Sequence, residues 1–459
     1  MNRTLSRRAI RGVPVLAGLL LLALLVAGGS VLAAPTRRAG PVLAAIPLDA
    51  SAGPLVVDAS TRRAFLVEPK ADYPNGVVLV LDAASGALLR TTTVGYEPRA
   101  AAVDERAGLV FVANAGDTTI SVLDARTGAV RRTLTLPSSA NPMAMVPTAH
   151  HLFVGNLDGS VTVLDIASGR VLRTVTVMAH SRSTGSIRLA ADERTGRVYV
   201  GDDNVGAISP PPSSLVGVLD IRDGRLLRTI VVGAFPEDIA IDARNGHVFV
   251  ATQGHWPSGA VDMLDARTSR VLAAHTLRGS PTALVVDEQA GYAFIAGDDL
   301  WGTVSVLDTR HGAIARTVRL GATPSNVSFP LAMARDRRAG RTYVLSHTIT
   351  FDGPADQRSV TALSVFDTRR ATVLRTIQLG AAMLPAPNTG AVGQTTSRVL
   401  GVDERSGHVF AVVDGGPVGV PGRWNWIPGW LRDHVPFLPA PTFSIRTVPT
   451  QLYVIDPMT

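Results

Sequence analysis

The sequence predicts an all-β chain closed into a single β-propeller of four-stranded blades, eight of them. Three observations carry this expectation. One pattern recurs about every 45 residues, the period of a four-stranded blade. Every copy carries at least one short turn that opens on Asp and closes on Gly, eleven such turns in all. The last copy lacks a fourth strand, and a matching strand stands at the other end of the chain.

The copy that starts at Pro98 is the plainest. AAAV, LVFVAN, TISVLD and VRRTLTL follow one another there, each short and rich in apolar and β-branched residues. Further copies start at Pro142, Ser186, Pro236 and Pro281. Second strands recur as RRAFLVE, GLVFVAN, HHLFVGN, GRVYVGD, GHVFVAT, GYAFIAG, GRTYVLS and GHVFAVV, which makes eight. Third strands close at Asp82, Asp124, Asp165, Asp220, Asp265, Asp308, Asp367 and Asp456, again eight. Fourth strands number seven, because the chain stops just after Asp456. VLAAIPL at 42–48 is similar to VLAAHTL at 271–277, so a latch strand over 42–49 is expected to complete the last blade. The propeller then spans 41–459, with no helix longer than about two turns outside the N-terminal segment and an aromatic-rich insertion at 415–450.

Each turn is D-x-x-x-G, as in Asp104 to Gly108 and Asp124 to Gly128. An Asp that opens a turn accepts backbone N–H groups, and the Gly takes the positive φ that a short hairpin needs. The aspartates are therefore read as turn-formers and not as metal ligands. Blades 3 and 7 show departures from the pattern. Pro147-Thr148 replaces Val-Asp in blade 3, and Ala371 stands where Gly is usual in blade 7.

The segments VFVAN, TISVLDARTG and VLRTVTV resemble the YVTN-type β-propeller repeat family, including its YncE-like and surface-layer-like members. The resemblance covers nearly all of 41–459 outside the insertions. It implies a propeller of seven blades in many members; the strand count here gives eight, with seven as the alternative.

The N-terminus adds a compartment. Arg3, Arg7, Arg8 and Arg11 precede an apolar run from Val13 to Val26, and small residues through Ala34 follow. That order reads as a signal peptide over 1–34, or as an uncleaved anchor that would be the chain's only membrane contact. Ser6-Arg7-Arg8 also resembles a twin-arginine export signal. The mature chain is then periplasmic, secreted or on the cell surface. Losing those four arginines lowers the formal charge from +7 to +3, so nucleic acid is not expected as a partner. The chain has no cysteine. That excludes disulfide staples, cysteine-ligated metal and covalently attached haem c.

In a four-stranded meander, the first-to-second and third-to-fourth turns share one face. All the Asp-to-Gly hairpins fall there. Every insertion falls on the opposite face: 70–75, 206–214, 254–258, 347–358, 383–397 and 415–449. Repeat proteins place binding in loops carried on one face of a rigid scaffold. The candidate ligand-binding groups at that mouth are Arg99, Arg188, Glu237, Asp238 and Arg398 at the entrances of innermost strands, with His255 and His347 in loops. Asp202, Asp203, Asp298 and Asp299 are weak metal candidates. Substituting the mouth charges is expected to leave stability nearly unchanged, as surface changes do.

Two further features compete with structural explanations. Arg-Thr recurs in the fourth strands, at Arg90, Arg132, Arg173, Arg228, Arg316 and Arg375. It is read as charge that protects an exposed edge from pairing, in preference to a basic belt for a polyanion. Trp424, Trp426 and Trp430 crowd into the last insertion and are either a lid over its own blades or a partner surface.

LDARTGAVRRT resembles the docking motif of quinoprotein dehydrogenases, but the Trp of that motif is absent from every copy, so no PQQ is expected. No G-x-S-x-G elbow and no H-E-x-x-H helix occurs. The reading is an exported envelope protein that binds a ligand or partner protein, and binding is favoured over catalysis. A lactonase-like propeller hydrolase or lyase, and a structural surface-layer component, are the alternatives.

Overall fold

The computed structural model describes residues 41–48, 52–69, 75–137, 142–177, 187–202, 214–253, 258–299, 302–320, 326–351, 357–384, 399–413, 416–421 and 443–459. The segment 1–40, with its signal-peptide reading, lies outside them, as do Arg398, His255, Asp203, Trp424, Trp426 and Trp430.

Eight four-stranded antiparallel sheets form, and strands are the only regular elements among the described residues. Seven sheets are simple meanders in chain order. The innermost strands touch their neighbours all the way round, and the first strand of blade 8, Leu400–Asp403, meets that of blade 1, Leu55–Asp58. The ring is closed with eight blades, and the seven-blade alternative falls.

Closure uses the latch strand. Val42–Pro47 pairs antiparallel with Gln451–Ile455 in the register Ala44↔Val454, Ala45↔Tyr453 and Ile46↔Leu452. Beyond the ladder, the Leu48 N–H donates to the Thr450 carbonyl at 2.9 Å and the Asp456 N–H to the Pro41 carbonyl at 2.7 Å. Ala44 and Leu48 are buried with Leu66 and Leu81 of blade 1 and Phe410 and Leu452 of blade 8. The two chain ends are thus part of one core.

The core repeats with the blades because the second strand is covered on both faces by the adjacent sheets. Its third residue is aromatic in all eight: Phe65, Phe111, Phe153, Tyr199, Phe249, Phe294, Tyr343 and Phe410, each 0% exposed. Runs such as Leu109–Asn114 are buried at every residue, as a strand enclosed on both faces must be.

The turn aspartates act as the spacing predicts. Asp104 Oδ1 accepts the Arg106 and Ala107 N–H groups at 3.0 and 3.1 Å. Gly108 and Gly128 take φ values of 62° and 70°. Where glycine is missing, Ser269 and Ala371 adopt the same left-handed conformation, at 56° and 51°. Asp104→Ala and Asp287→Ala are each expected to cost about 1 kcal/mol in chemical denaturation, through the lost turn hydrogen bonds.

These carboxyls also set an acid limit. Burial opposes the shift at Asp124, but Arg131 and the Thr127 N–H hold its carboxyl down to about 2. Asp165 and Asp265 are lowered by Ser168 and by the Thr268 N–H, and Asp82 and Asp308 are lowered despite their burial. A carboxyl depressed in the folded state contributes stability above its unfolded value, and that stability is lost as pH falls through the folded value. Asp238, Asp262 and Asp336 have the opposite sign, because burial raises all three. Their cost is absent at low pH, grows as pH rises above the unfolded carboxylate value and levels off above their folded values. Stability followed by circular dichroism should therefore fall as pH drops below about 4, through the folded values of the five depressed carboxyls. A profile that stays flat from about pH 5 to 2 would contradict this balance.

Candidate functional site

Of the expected insertions, 70–74, 206–213, 254–257 and 385–397 lie outside the described residues, and the described parts of 347–358 continue strands. Blade 7 extends its strands, so that Arg341–Phe351 pairs with Gln357–Asp367 and that strand pairs with Thr372–Leu384. His347 accordingly lies within a strand, opposite Phe329 and Thr361, with Nδ1 3.4 Å from Thr361 Oγ1. Burial lowers its pKa, so it is neutral near pH 7. The last insertion contains a further hairpin, Gly416–Pro421 with Phe443–Val448, whose first strand contacts the fourth strand of blade 7.

At the mouth, three of the predicted residues come together. Each innermost strand of blades 2, 3, 5, 6 and 7 begins with a β-bulge just after its proline, and the extra residue is Arg99, Met143, Glu237, Thr282 or Leu331. A bulge redirects a side chain, and in blade 5 it turns Glu237 inward. Glu237 is 5% exposed and accepts from Gln253 Nε2 at 2.5 Å. Arg188 of blade 4 donates from Nε to the Glu237 carbonyl at 2.7 Å, and its guanidinium lies 3.9 Å from Glu237 Oε2.

Asp238 stands where the other four bulged strands carry Ala100, Ala144, Ala283 and Ala332. Its Oδ1 accepts the Ile239 N–H at 2.9 Å, and its Oδ2 accepts the Leu284 N–H of blade 6 at 2.9 Å. Burial raises its carboxyl above the usual range, against the pull of those N–H groups and of Arg188. The cluster thus ties blades 4, 5 and 6 together. The expectation that these substitutions leave stability unchanged is corrected on this point. Asp238→Ala should cost about 1–3 kcal/mol, because two N–H groups lose their acceptor.

Arg99 does not join the cluster. It is exposed and pairs with Glu97 at 3.3 Å. Asp299 forms a turn, accepting the Thr303 N–H at 3.2 Å and the Thr303 hydroxyl at 2.9 Å, and Asp298 ends a strand. Asp202 ends the strand Arg197–Asp202. Among the described residues no group of three His, Asp or Glu is placed to hold a metal ion.

One acidic residue escaped the sequence reading. Asp262 is 5% exposed in the third strand of blade 5, where blades 2, 3, 4, 6 and 7 carry Ser121, Thr162, Gly217, Ser305 and Ser364 and blades 1 and 8 carry Leu79 and Tyr453. Its Oδ2 accepts the Gly233 N–H at 2.8 Å, and burial raises its carboxyl. Blade-by-blade alignment gives the signal that would have found it, a charge at a position that is uncharged in every other blade.

Four of the six fourth-strand arginines reach the next blade, and Arg90 donates instead to Thr92 Oγ1 of its own strand at 3.1 Å. Arg132 donates to the Ala167 and Ile166 carbonyls, and Arg228 to the Thr268 carbonyl at 2.6 Å. Arg316 and Arg375 reach the Ala371 and Pro457 carbonyls in the same way. Each fastens its blade to the turn of the next. His151, His247 and His408 do likewise through Nδ1, donating to the Ile221, Thr309 and Ala83 carbonyls.

A family model described as outer membrane protein assembly factor BamB matches residues 27–273, more than half of the chain. The chain belongs to this BamB family. The chain is similar to several solved structures. Dihydro-heme d1 dehydrogenase NirN, in complex with DHE, is similar to this BamB-family propeller at 15% identity over 72% of this chain and 67% of its own, with a TM-score of 0.51. BamB from Moraxella catarrhalis is 15% identical over 66% of this chain and 96% of its own, with a TM-score of 0.44. Hydrazine synthase from Kuenenia stuttgartiensis is 14% identical over 77% and 99%, with a TM-score of 0.48. At these identities the likeness is one of fold. No curated protein sequence matches the chain.

Proposed function

We propose that this BamB-family propeller is exported to the cell envelope, where it binds a partner protein or ligand through its insertion-bearing face. The observation that carries the reading is the asymmetry of the ring. One face consists of short turns whose Asp carboxylates are already taken up by their own backbone. The other carries the lengthened strands of blade 7 and the added hairpin beside them. A rigid ring with such a one-sided elaboration suits recognition. The name of the matching family, an assembly factor of the outer membrane, supports a protein partner. The basic-apolar order of residues 3–34 supports export, by cleavage or as an anchor, and the VFVAN and VLDARTG segments support a YVTN-type repeat.

The test is a chain in which residues 416–448 are replaced by an Asn-Gly turn. Its melting temperature should stay close to that of the intact chain, while partners captured from the host envelope fraction are lost. Equal capture by both chains would overturn the reading.

Hydrolase or lyase chemistry at the channel mouth is a second reading. It draws on Asp238, whose raised carboxyl suits a proton donor beside Arg188 and Glu237. Turnover of a lactone panel that vanishes in Asp238→Asn would support it, and no turnover would set it aside.

A further inference from the structure

We infer that the outer strand of blade 4, Leu226–Val232, is a self-association edge through which two copies of this chain join their sheets. The surface is independent of the insertion-bearing face and of the function proposed for it.

Among the described residues no further strand pairs with the outer edge of any blade, so each edge is open to pairing unless its side chains or surroundings prevent it. Aligning the blades by register shows where blade 4 differs from the others. At one position near the insertion-bearing end, the cross-strand pairs are Val77–Thr93, Thr119–Thr135, Ser160–Thr176, Ala260–Thr276, Thr303–Arg319 and Ala362–Gln378. In blade 8 the outer member is Pro47, which has no N–H to offer. In blade 4 alone the pair is Leu215–Val231, aliphatic on both strands.

Neither residue is covered. Leu215 is 40% exposed and Val231 62%, the most exposed large hydrophobic side chain among the described residues. Leu226 and Leu227 extend the apolar edge, at 38% and 47%. From Arg228 to Val232 the ladder with the third strand is regular, and its one irregularity lies below, next to Leu226. The free edge Arg228-Thr229-Ile230-Val231-Val232 is therefore straight, β-prone and almost uncharged, the features that make an edge adhesive.

The occupant is specified by the sequence of the edge itself. Antiparallel pairing of two copies about Ile230 sets Ile230 against Ile230, Thr229 against Val231 and Arg228 against Val232. No arginine then faces an arginine. The exposed Val231 and Leu215 of each copy line one apolar strip across the junction. Because outer strands lie on the convex perimeter, two rings can approach edge to edge without displacing either mouth. A contact through one strand edge is small against the roughly 1,200–2,000 Å² of a standard stable interface, so the dimer should be weak and concentration-dependent.

The experiment is sedimentation equilibrium of the processed protein from its host, over about 1–500 µM. The mass should rise toward twice that of the monomer. Val231→Lys and Val231→Thr, the residue most other blades carry here, should weaken association at least about tenfold with unchanged thermal melts. Thr135→Lys, at the equivalent position of blade 2, should behave as wild type. A wild-type chain that stays monomeric throughout would overturn the inference. So would a dimer indifferent to Val231→Lys, or binding to anionic vesicles lost in Val231→Lys without self-association.

Discussion

Deleting residues 42–48 should lower the stability of the ring by several kcal/mol and open it between blades 8 and 1. Among the described residues the strand Val42–Pro47 is the only partner of the outer side of Gln451–Ile455, so its loss leaves that strand as an unpaired edge. Ala44 and Leu48 leave a cluster that also holds Leu66 and Leu81 of blade 1, and the damage therefore crosses to the neighbouring sheet. His408 would still donate to the Ala83 carbonyl at 3.3 Å, but one hydrogen bond does not replace a strand. Thermal melts and limited proteolysis of the truncated chain check this, with new cleavage expected in 399–413. An unchanged melting temperature would mean that the ring closes elsewhere.

Phe111→Ala should be the most damaging single substitution of the regular blades, at about 3–5 kcal/mol. The ring is 0% exposed and packs with Ile120, Val122 and Leu134 of its own blade and Leu152, Val154 and Leu164 of blade 3. Truncation opens a cavity at a junction between two sheets, and neither can move in without breaking its contacts on the far side. Leu89→Ala, 49% exposed on an outer strand, should stay within about 0.5 kcal/mol. Urea denaturation of both variants measures the difference.

The fold was legible because its signals are local and repeated. Alternation and β-branching mark the strands, and an Asp four residues before a Gly marks a hairpin wherever it falls. Even closure was readable, since VLAAIPL at 42–48 resembles a fourth strand and the last copy lacks one. The site was legible only in part. Asp238 stood out as a charge at the mouth, but its coupling to Leu284 depends on how blade 6 sits against blade 5, which no local pattern contains. Asp262 was missed because it is one residue inside an otherwise ordinary strand. His347 was placed in a loop because blade 7 is long, whereas the added residues continue the ladder. The fourth-strand arginines were read from their exposed position, and the partners of four of them, carbonyls of the next blade, are separated from them by 34–82 residues of chain.

The central claim is that the insertion-bearing face recognises the partner and the hairpin face does not. Site-specific photo-crosslinking in the host tests it most directly. A photoreactive residue would be placed at Tyr96, exposed in the link that enters blade 2, and at Val418 in the added hairpin. Ala107 and Arg267, exposed in turns of the opposite face, provide the comparison. Adducts of one defined mass from Tyr96 or Val418, and none from Ala107 or Arg267, are the predicted result. Adducts from Ala107 or Arg267 alone would contradict the account.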